Sequence, residues 1–514
     1  MILIQSSNQF FDNLNQELAS VIGSAQNFLP EIVLVGFLFL LIIADLIFYK
    51  KRPKISAYIS TIGFVVVGGM LVLQGNEVYK TEGITIFENM LYLDRMAVYL
   101  KVLFCFSGLL TVLFSFNYKR SGERPTKFGE YHALIYGVVL GASLLVMGIN
   151  LLIVYLAIEI VSICSYILTN FNFGRKSAEA GLKYLLFGAV SSAIMLYGMS
   201  LLYGFTGTLN ISSEVFHINL ALISPWPYYV AVAMTLAGFI FKLGAVPFHI
   251  WGPDVYQGAP TPIVALFSTV PKIAAVIILF RFLNELPVSN IGYDVNWMKV
   301  LSWIAIITML LGNLSALWQK NAKRMMAYSS IAHAGFMLAG VVAFSEFGLD
   351  SLLFYASIYL IMNFAAFLMI KMLSEDRRIE KMSDFAGLGK KVPFLGVASV
   401  IIMLSLTGLP PTAGFTAKLL IFSSVWDAYQ TNHEAVLLVL FIVGLLNAVL
   451  ALFYYIKIPY YLYFRSRDDE NSVLLQRNKK SNFQEKILLG LLIFPLLILF
   501  FKSSWLTDFI NLLN

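Results

Sequence analysis

From Met234 to Phe282 the chain reads as two apolar helices, each holding one lysine, separated by a stretch that no unbroken helix can cross. Eight uncharged residues, Met234 to Phe241, precede Lys242, and eight more, Ile273 to Phe280, follow Lys272. Between the lysines stand Pro247, Pro253, Pro260 and Pro262. Proline lacks the backbone N–H and clashes with the preceding turn, so the helix must break. At membrane depth such a break is tolerated only where the freed backbone groups meet protein or water. An ammonium at that depth costs roughly 3 kcal/mol or more, which makes each lysine a candidate functional group. The stretch points to a polar path inside a membrane protein.

Composition agrees. Of 514 residues, 59% are hydrophobic and 13% charged, against about 25% charged in soluble domains. The net charge of +7 resides in short loops between apolar runs, which is a topology signal and not a nucleic-acid face. Cys105 and Cys164 both fall inside apolar runs without metal-ligand spacing and read as small core residues. No iron–sulfur, haem-attachment, zinc, dinucleotide or phosphate-loop pattern occurs, so any redox or nucleotide chemistry belongs to other chains. The polar segment from Met1 to Asn27 lacks the basic and apolar regions of a cleavable signal.

At ~20 apolar residues per span, the sequence predicts an all-α polytopic membrane protein with about fourteen transmembrane helices. Loops after odd-numbered spans carry Lys50, Lys51, Arg52, Lys54, then Lys119, Arg120, Arg124, Lys127, and later Arg377, Arg378, Lys381, Lys390 and Lys391. Loops after even-numbered spans carry Glu77, Glu82, Glu214, Glu346 and Glu434 instead. The positive-inside rule then sets both termini on the non-cytoplasmic side, which suits a bacterial inner membrane. Four parts are expected: helices 1–3 in residues 1–125, a five-helix block in 126–290, a second block in 291–465, and a loop with a final helix in 466–514. The fourth helix of each block is broken, at 228–257 and at 393–427. An odd number of spans per block turns the two copies over relative to each other, the inverted-repeat pattern whose interrupted helices mark the site in transporters.

Glu159 lies in NLLIVYLAIEIVSICSYIL with no other charge between Glu130 and Arg175. A carboxylate there must be paired, protonated or wet. It is either a protonated acid bonded to the backbone or a partner for a lysine on a neighbouring helix, for which Lys242 is the candidate. Burial disfavours an ammonium while a nearby carboxylate favours it, and a lysine held between those pulls can load and release a proton. Lys418, just after the second break at Pro410 and Pro411, answers Lys242 in the second block. His249 in the first break, beside Pro247, and His333 next to Ser329 and Ser330 are either proton relays or structural hydrogen-bond donors. Glu179 and Lys183, four apart on one helix, read better as an anchor than as part of a proton-uptake path. Glu31, Asp45 and Lys457 read as snorkelling or interface groups. Glu159, Lys242, Lys272 and Lys418 together make a mid-membrane row along which protons can hop. Each charge moved against 100 mV costs about 2.3 kcal/mol, so a driver outside this chain is implied.

The stretches FKLGAVPFHIWGPDVYQGAPTPIVALFSTVPK, KRMMAYSSIAHAGFMLAG, LSLTGLPPTAGFTAKLLIF and AEAGLKYLLFGAVSSAIMLYGMSLLYGFTG resemble the N-type subunits of bacterial NADH:quinone oxidoreductase, respiratory complex I. The similarity runs from about residue 130 to 460. It implies an antiporter-like fold of two inverted five-helix repeats and one of the proton channels of the membrane arm, driven by quinone reduction elsewhere. By motif, the essential glutamate falls on Glu159, the broken-helix lysine on Lys242, the connecting lysine on Lys272, the second-half lysine on Lys418 and a connecting histidine on His249. No cofactor is implied in this chain; FMN, iron–sulfur clusters and quinone are expected in partner subunits. The implied partners are an M-type subunit, small K- and J-type subunits and lipids, and no nucleic acid. M-type subunits carry glutamate where Lys418 stands, and L-type subunits continue into a lateral helix for which this chain leaves no room. A subunit of a multi-subunit cation/proton antiporter is the alternative, and a purely structural membrane subunit the third reading.

Overall fold

With no water to serve the backbone in lipid, each long apolar run must close its hydrogen bonds within itself and winds into a helix. The structure is a computed structural model that describes residues 21–48, 54–79, 83–116, 128–286, 296–374, 381–465 and 483–512. Helices α1 (Leu29–Phe48) and α2 (Ile55–Val78) lead into a two-stranded hairpin, β1 (Ile84–Ile86) and β2 (Leu91–Leu93), and then α3 (Arg95–Ser115). The first block follows: α4 (Phe128–Met147), α5 (Leu151–Thr169), α6 (Arg175–Thr206), a short α7 (Glu214–Ala221), α8 (Pro225–Leu243), α9 (Trp251–Gly258) and α10 (Thr261–Asn284). The second block holds α11 (Trp297–Leu317), α12 (Ala322–Val342), α13 (Glu346–Ser374), α14 (Pro393–Thr407), α15 (Ala413–Asn432), α16 (Ala435–Tyr455) and its continuation α17 (Lys457–Tyr463). The chain closes with α18 (Phe483–Phe501) and α19 (Ser504–Asn511).

Thirteen helices among the described residues are long and apolar enough to cross a membrane. The shorter apolar helix α14, with α15 beyond it, lies where the sequence predicts the second broken span. The hairpin, α7 and α19 were not foreseen. The hairpin leans on the α4–α5 turn through a bridge from Leu91 to Gly148, so a segment too short to fold alone gains its order from the helices beneath it. Residues 466–482 of the last basic loop, with most of its charges, lie outside the described residues.

Helices α10, α12 and α13 form the centre. All of the apolar window of α10, and 94% of those of α12 and α13, is buried inside the chain, whereas α18 at the rim buries 17%. Helices α1 to α3 lie against α4, and α3 also touches α10. Asp94 caps α3, its carboxylate accepting from the Ala97 N–H at 2.8 Å.

The breaks fall where the sequence suggests, but glycine ends each helix, not proline. At the end of α8 the Gly244 N–H reaches the Phe241 carbonyl at 3.0 Å and the Ala245 N–H reaches Ile240 at 3.1 Å. At the end of α14 the Gly408 N–H reaches Ser405 at 3.0 Å and the Leu409 N–H reaches Leu404 at 3.1 Å. Both are Schellman closures, which need a residue in the left-handed region; Gly244 has φ +72° and Gly408 φ +82°. Pro247 and Pro410–Pro411 lie beyond, in the turns that lead to α9 and α15, and both turns contain a cis peptide bond, Val246–Pro247 and Pro410–Pro411.

A side chain at Gly408 would adopt a conformation that costs L-residues roughly 1–2 kcal/mol, and its Cβ would fall 2.7 Å from Lys418 Cδ. Gly408→Ala is therefore expected to destabilise the fold by at least that amount, measured by denaturation of the solubilised protein. Gly36→Ala, on α1 where a Cβ meets nothing within 4 Å, is expected to leave stability unchanged or raised.

Candidate functional site

The first break gathers Lys242 and Lys272. Lys242, in the last turn of α8, is buried and donates to the Ser162 hydroxyl of α5. Its ammonium also lies 5.5 Å from the Tyr166 ring centre and 5.9 Å from that of Tyr184, distances at which an aromatic face stabilises a cation. Tyr184 is fixed by Trp251, whose ring stacks on it at 4.3 Å. Glu159 stands one turn before Ser162 on α5, within electrostatic reach of Lys242. The two form no ion pair within 4.0 Å, and Glu159 Oε1 is buried without a hydrogen-bond partner among the described residues. The expected partners are thus on adjoining helices, with Ser162 taking the direct bond.

Lys272, on the wholly buried α10, reaches back to the same break: a Cβ on Gly244 would sit 3.3 Å from its Nζ. Its ammonium donates to the Ser330 carbonyl of α12 at 3.1 Å. The Ser330 hydroxyl meets Tyr359 at 2.9 Å and Tyr256 of α9 at 3.1 Å. One turn along α12, His333 Nδ1 meets the Tyr355 hydroxyl at 2.5 Å and Nε2 meets Tyr455 at 3.0 Å, and Tyr455 also bonds the Ser329 hydroxyl. Hydroxyl, imidazole and ammonium groups from α9, α10, α12, α13 and α16 therefore converge between the two blocks.

Lys418 occupies the second break. A Schellman closure leaves the last carbonyls of its helix unpaired, and Lys418 donates to two of them, Leu406 at 3.1 Å and Thr407 at 2.7 Å. A cation there also meets the negative end of the α14 dipole, worth up to about 2 kcal/mol when partly buried. Its ammonium lies 4.8 Å from the Phe336 ring centre, and Phe336 is three residues along α12 from His333.

Glu179 and Lys183 lie apart from this row, at the face that carries the basic loops. Lys183 contacts Glu179 at 2.9 Å and Asp254 at 2.8 Å, and Arg324 contacts Asp254 at 2.6 Å. Glu179, Lys183 and Asp254 line a cleft of about 150 Å³ with Lys176 and Gln257. The network ties α6, α9 and α12 together, which is anchoring across three helices. His249 lies half-buried in the turn after Pro247 and does not join the hydrogen-bonded chain that holds His333.

Of three groups read as interfacial, two are buried inside the chain and the third is half-buried. Glu31 is fully buried against Lys101 at 2.7 Å. Asp45 is buried and accepts from the Gly129 N–H at the start of α4 at 3.1 Å. Lys457 donates to the Leu317 carbonyl and closes α11. For Glu31 and Asp45 a counter-ion or a helix end satisfies the charge inside the protein, so neither need reach the headgroups. The tyrosines of α13 and α16, Asp254 and Lys101 were overlooked. Lys101 carried a usable signal, a lone lysine between Val98 and Phe106 in an apolar run; the tyrosines carried little, because aromatic residues fill any helix core.

Fold and site together define a polytopic membrane protein with an antiporter-like core and a buried row of lysines. A family described as NADH:quinone oxidoreductase/Mrp antiporter, TM matches residues 148–446, more than half of the chain. The chain belongs to that family. It is similar to NADH-quinone oxidoreductase subunit N 2 of Chloroherpeton thalassium, 39% identical over 471 residues and 88% of this chain and 89% of that protein. Subunit N of Chlorobium chlorochromatii is 36% identical over 456 residues, 87% of each chain. Among solved structures, a chain of respiratory complex I from Thermus thermophilus superposes with a TM-score of 0.74 at 27% identity, covering 93% of this chain and 98% of that one. A chain of the Mrp complex from a Dietzia species superposes with a TM-score of 0.80 at 20% identity over 95% and 97%, a likeness of fold alone.

Tyr455 links His333 and Ser329 through one hydroxyl. Tyr455→Phe is expected to cost about 1 kcal/mol of stability, the usual net value of a hydrogen bond, and more if a buried partner is left unmet. Denaturation of the purified variant checks the number, and Tyr460→Phe, at an exposed position of α17, is the neutral control.

Proposed function

We propose that this chain is an N-type, proton-translocating subunit of the membrane arm of an NADH:quinone oxidoreductase. The observation that carries the reading is the pair of broken helices, each with a buried lysine at its break, with Lys272, Ser330, His333 and the surrounding tyrosines lying between them. Protons load on Lys242 near Glu159, pass toward Lys272 and the His333 cluster, and reach Lys418. Each lysine changes charge as the proton moves, and the change alters the proton affinity of the next group in the row. The chain contributes no redox group; FMN, iron–sulfur clusters and quinone belong to partner subunits, and the complex as a whole acts as a translocase. Partners in the membrane are an M-type antiporter-like subunit and small K- and J-type subunits. Both termini face the non-cytoplasmic side of a bacterial inner membrane, following the basic loops. A cation/proton antiporter subunit is the second reading, favoured by the Mrp-like fold. It predicts sodium-dependent transport without quinone reduction.

The test is proton pumping and electron transfer in reconstituted, fully assembled complex carrying Lys242→Ala or Glu159→Gln. Both activities are expected to fall together, at least tenfold for Lys242→Ala. Native rates of both in an assembled complex would make Lys242 a satisfied structural group and remove the proposal.

A further inference from the structure

Outside the lysine row, the most deeply buried charges among the described residues lie in the first helices. Glu31, in the first turn of α1, and Lys101, in the second turn of α3, are each 1% exposed, with Lys101 Nζ 2.7 Å from Glu31 Oε1. The ammonium is fully served, for it also donates to Gln74 Oε1 of α2 at 2.9 Å and lies 3.8 Å from Met147 Sδ of α4. The carboxylate is not: both oxygens are buried and accept no well-directed hydrogen bond among the described residues, so Oε1 has only the ion contact and Oε2 nothing. These four residues lie at the same end of four antiparallel helices, the end away from the basic loops. Gln74 continues outward, its amide donating at 2.5 Å to the carbonyl of Asn27, which is half-buried just before α1.

A buried ion pair is poor value for stability alone, because desolvation of both charges cancels most of the attraction. An unserved carboxylate oxygen makes this pair poorer still, unless a proton can occupy it. Other ionisable groups at this end, on the elements packed against the pair, are engaged or turned away. Asp94 holds Arg281 of α10 at 2.6 Å, Arg95 donates to the Tyr79 carbonyl at 2.9 Å, and Glu77 of α2 is exposed. On α4 the near end offers Met147 while Glu130 and His132 are at the far end, and α13 contributes Asp350. None of these pairs with Glu31 or Lys101 among the described residues. Helix α10, which carries Lys272, packs directly on both α3 and α4.

We propose that Glu31 and Lys101 form a proton-release site on the face away from the basic loops. A proton arriving from the row binds Oε2 of Glu31, converting the carboxylate to a neutral acid and the pair from net zero to +1. Its release past Gln74 and Asn27 restores the carboxylate, and no other bond changes. The inference rests on the proton-moving reading of the lysine row.

The test uses the whole reconstituted complex. In assembled Glu31→Gln the number of protons pumped per electron is expected to fall, and turnover-induced infrared difference spectra are expected to lose a protonated-carboxyl band that the native complex shows. A native ratio with no such band lost overturns the proposal. Because Glu31→Gln strands a buried ammonium, Glu31→Gln with Lys101→Met is measured beside it; this neutral pair is expected to assemble and still show the lowered ratio. A native ratio in the double variant, or failure of both variants to assemble, makes the pair a structural clamp and overturns the proposal too. Lys242→Ala measured in parallel separates the two ideas. If it stops pumping while Glu31→Gln does not lower the ratio, only the release site is lost; if it pumps normally, the reading of the row itself fails.

Discussion

The structure depends on how two helices are ended in the interior of the bundle. A Schellman closure at Gly244 or Gly408 ends the helix within a single turn, but its last carbonyls remain without donors. In water they would be solvated; inside a helix bundle each unserved carbonyl costs on the order of kilocalories. At the second break Lys418 supplies both missing donors, to Leu406 and Thr407. At the first, the Phe241 carbonyl, already paired with the Gly244 N–H, also receives the Trp251 indole at 3.3 Å, and a Cβ on Gly244 would sit 3.3 Å from Lys272 Nζ. At the second break the helix end and the lysine explain each other: the break needs donors, and the ammonium needs carbonyls.

The manner in which the charges are held divides the molecule. Lys242, Lys272 and Lys418 have no carboxylate within 4.0 Å among the described residues; hydroxyls, carbonyls and aromatic rings hold them. Several cations elsewhere are paired with carboxylates: Arg281 with Asp94, Lys371 with Glu485, Arg324 with Asp254 and Lys101 with Glu31. A direct carboxylate partner locks an ammonium in its charged form, whereas neutral dipoles support it more weakly and tolerate its loss. The paired cations clamp helices together, as Lys371 does where α13 meets α18 and the Phe114 carbonyl at the end of α3. The unpaired ones are free to change charge without breaking an ion pair.

Much of this was legible in the residues. Length and hydropathy suffice for the spans, since lipid leaves a long apolar segment little choice but a helix, and the isolated charges Glu159, Lys242, Lys272 and Lys418 stand out because each interrupts such a run. The glycines that end the helices were masked by the more conspicuous prolines. What the sequence conceals is mostly pairing between distant helices. Glu31 and Lys101 are seventy positions apart, and nothing local tells a glutamate in a first turn whether it meets headgroups or a lysine. Tyr355, Tyr359 and Tyr455 are similarly mute, because a tyrosine that packs and one that bonds a histidine have the same hydropathy.

In the proposed function, the spacing of such a row sets how strongly its members speak to each other. Two unit charges about 8 Å apart in a medium of effective dielectric about 20 interact by roughly 2 kcal/mol. That is close to the about 2.3 kcal/mol needed to move one charge through 100 mV. Adding or removing one proton can then displace the proton on the next group against the membrane potential, provided the interior stays dry enough to keep the dielectric low. Helices α10, α12 and α13 meet that condition by being buried on nearly every side, and hydrogen bonds cross between them from Lys272 to the Ser330 carbonyl, from Ser330 to Tyr359 and from His333 to Tyr355. A wetter core would screen each lysine from the next and leave the row without a means to pass on the work done elsewhere.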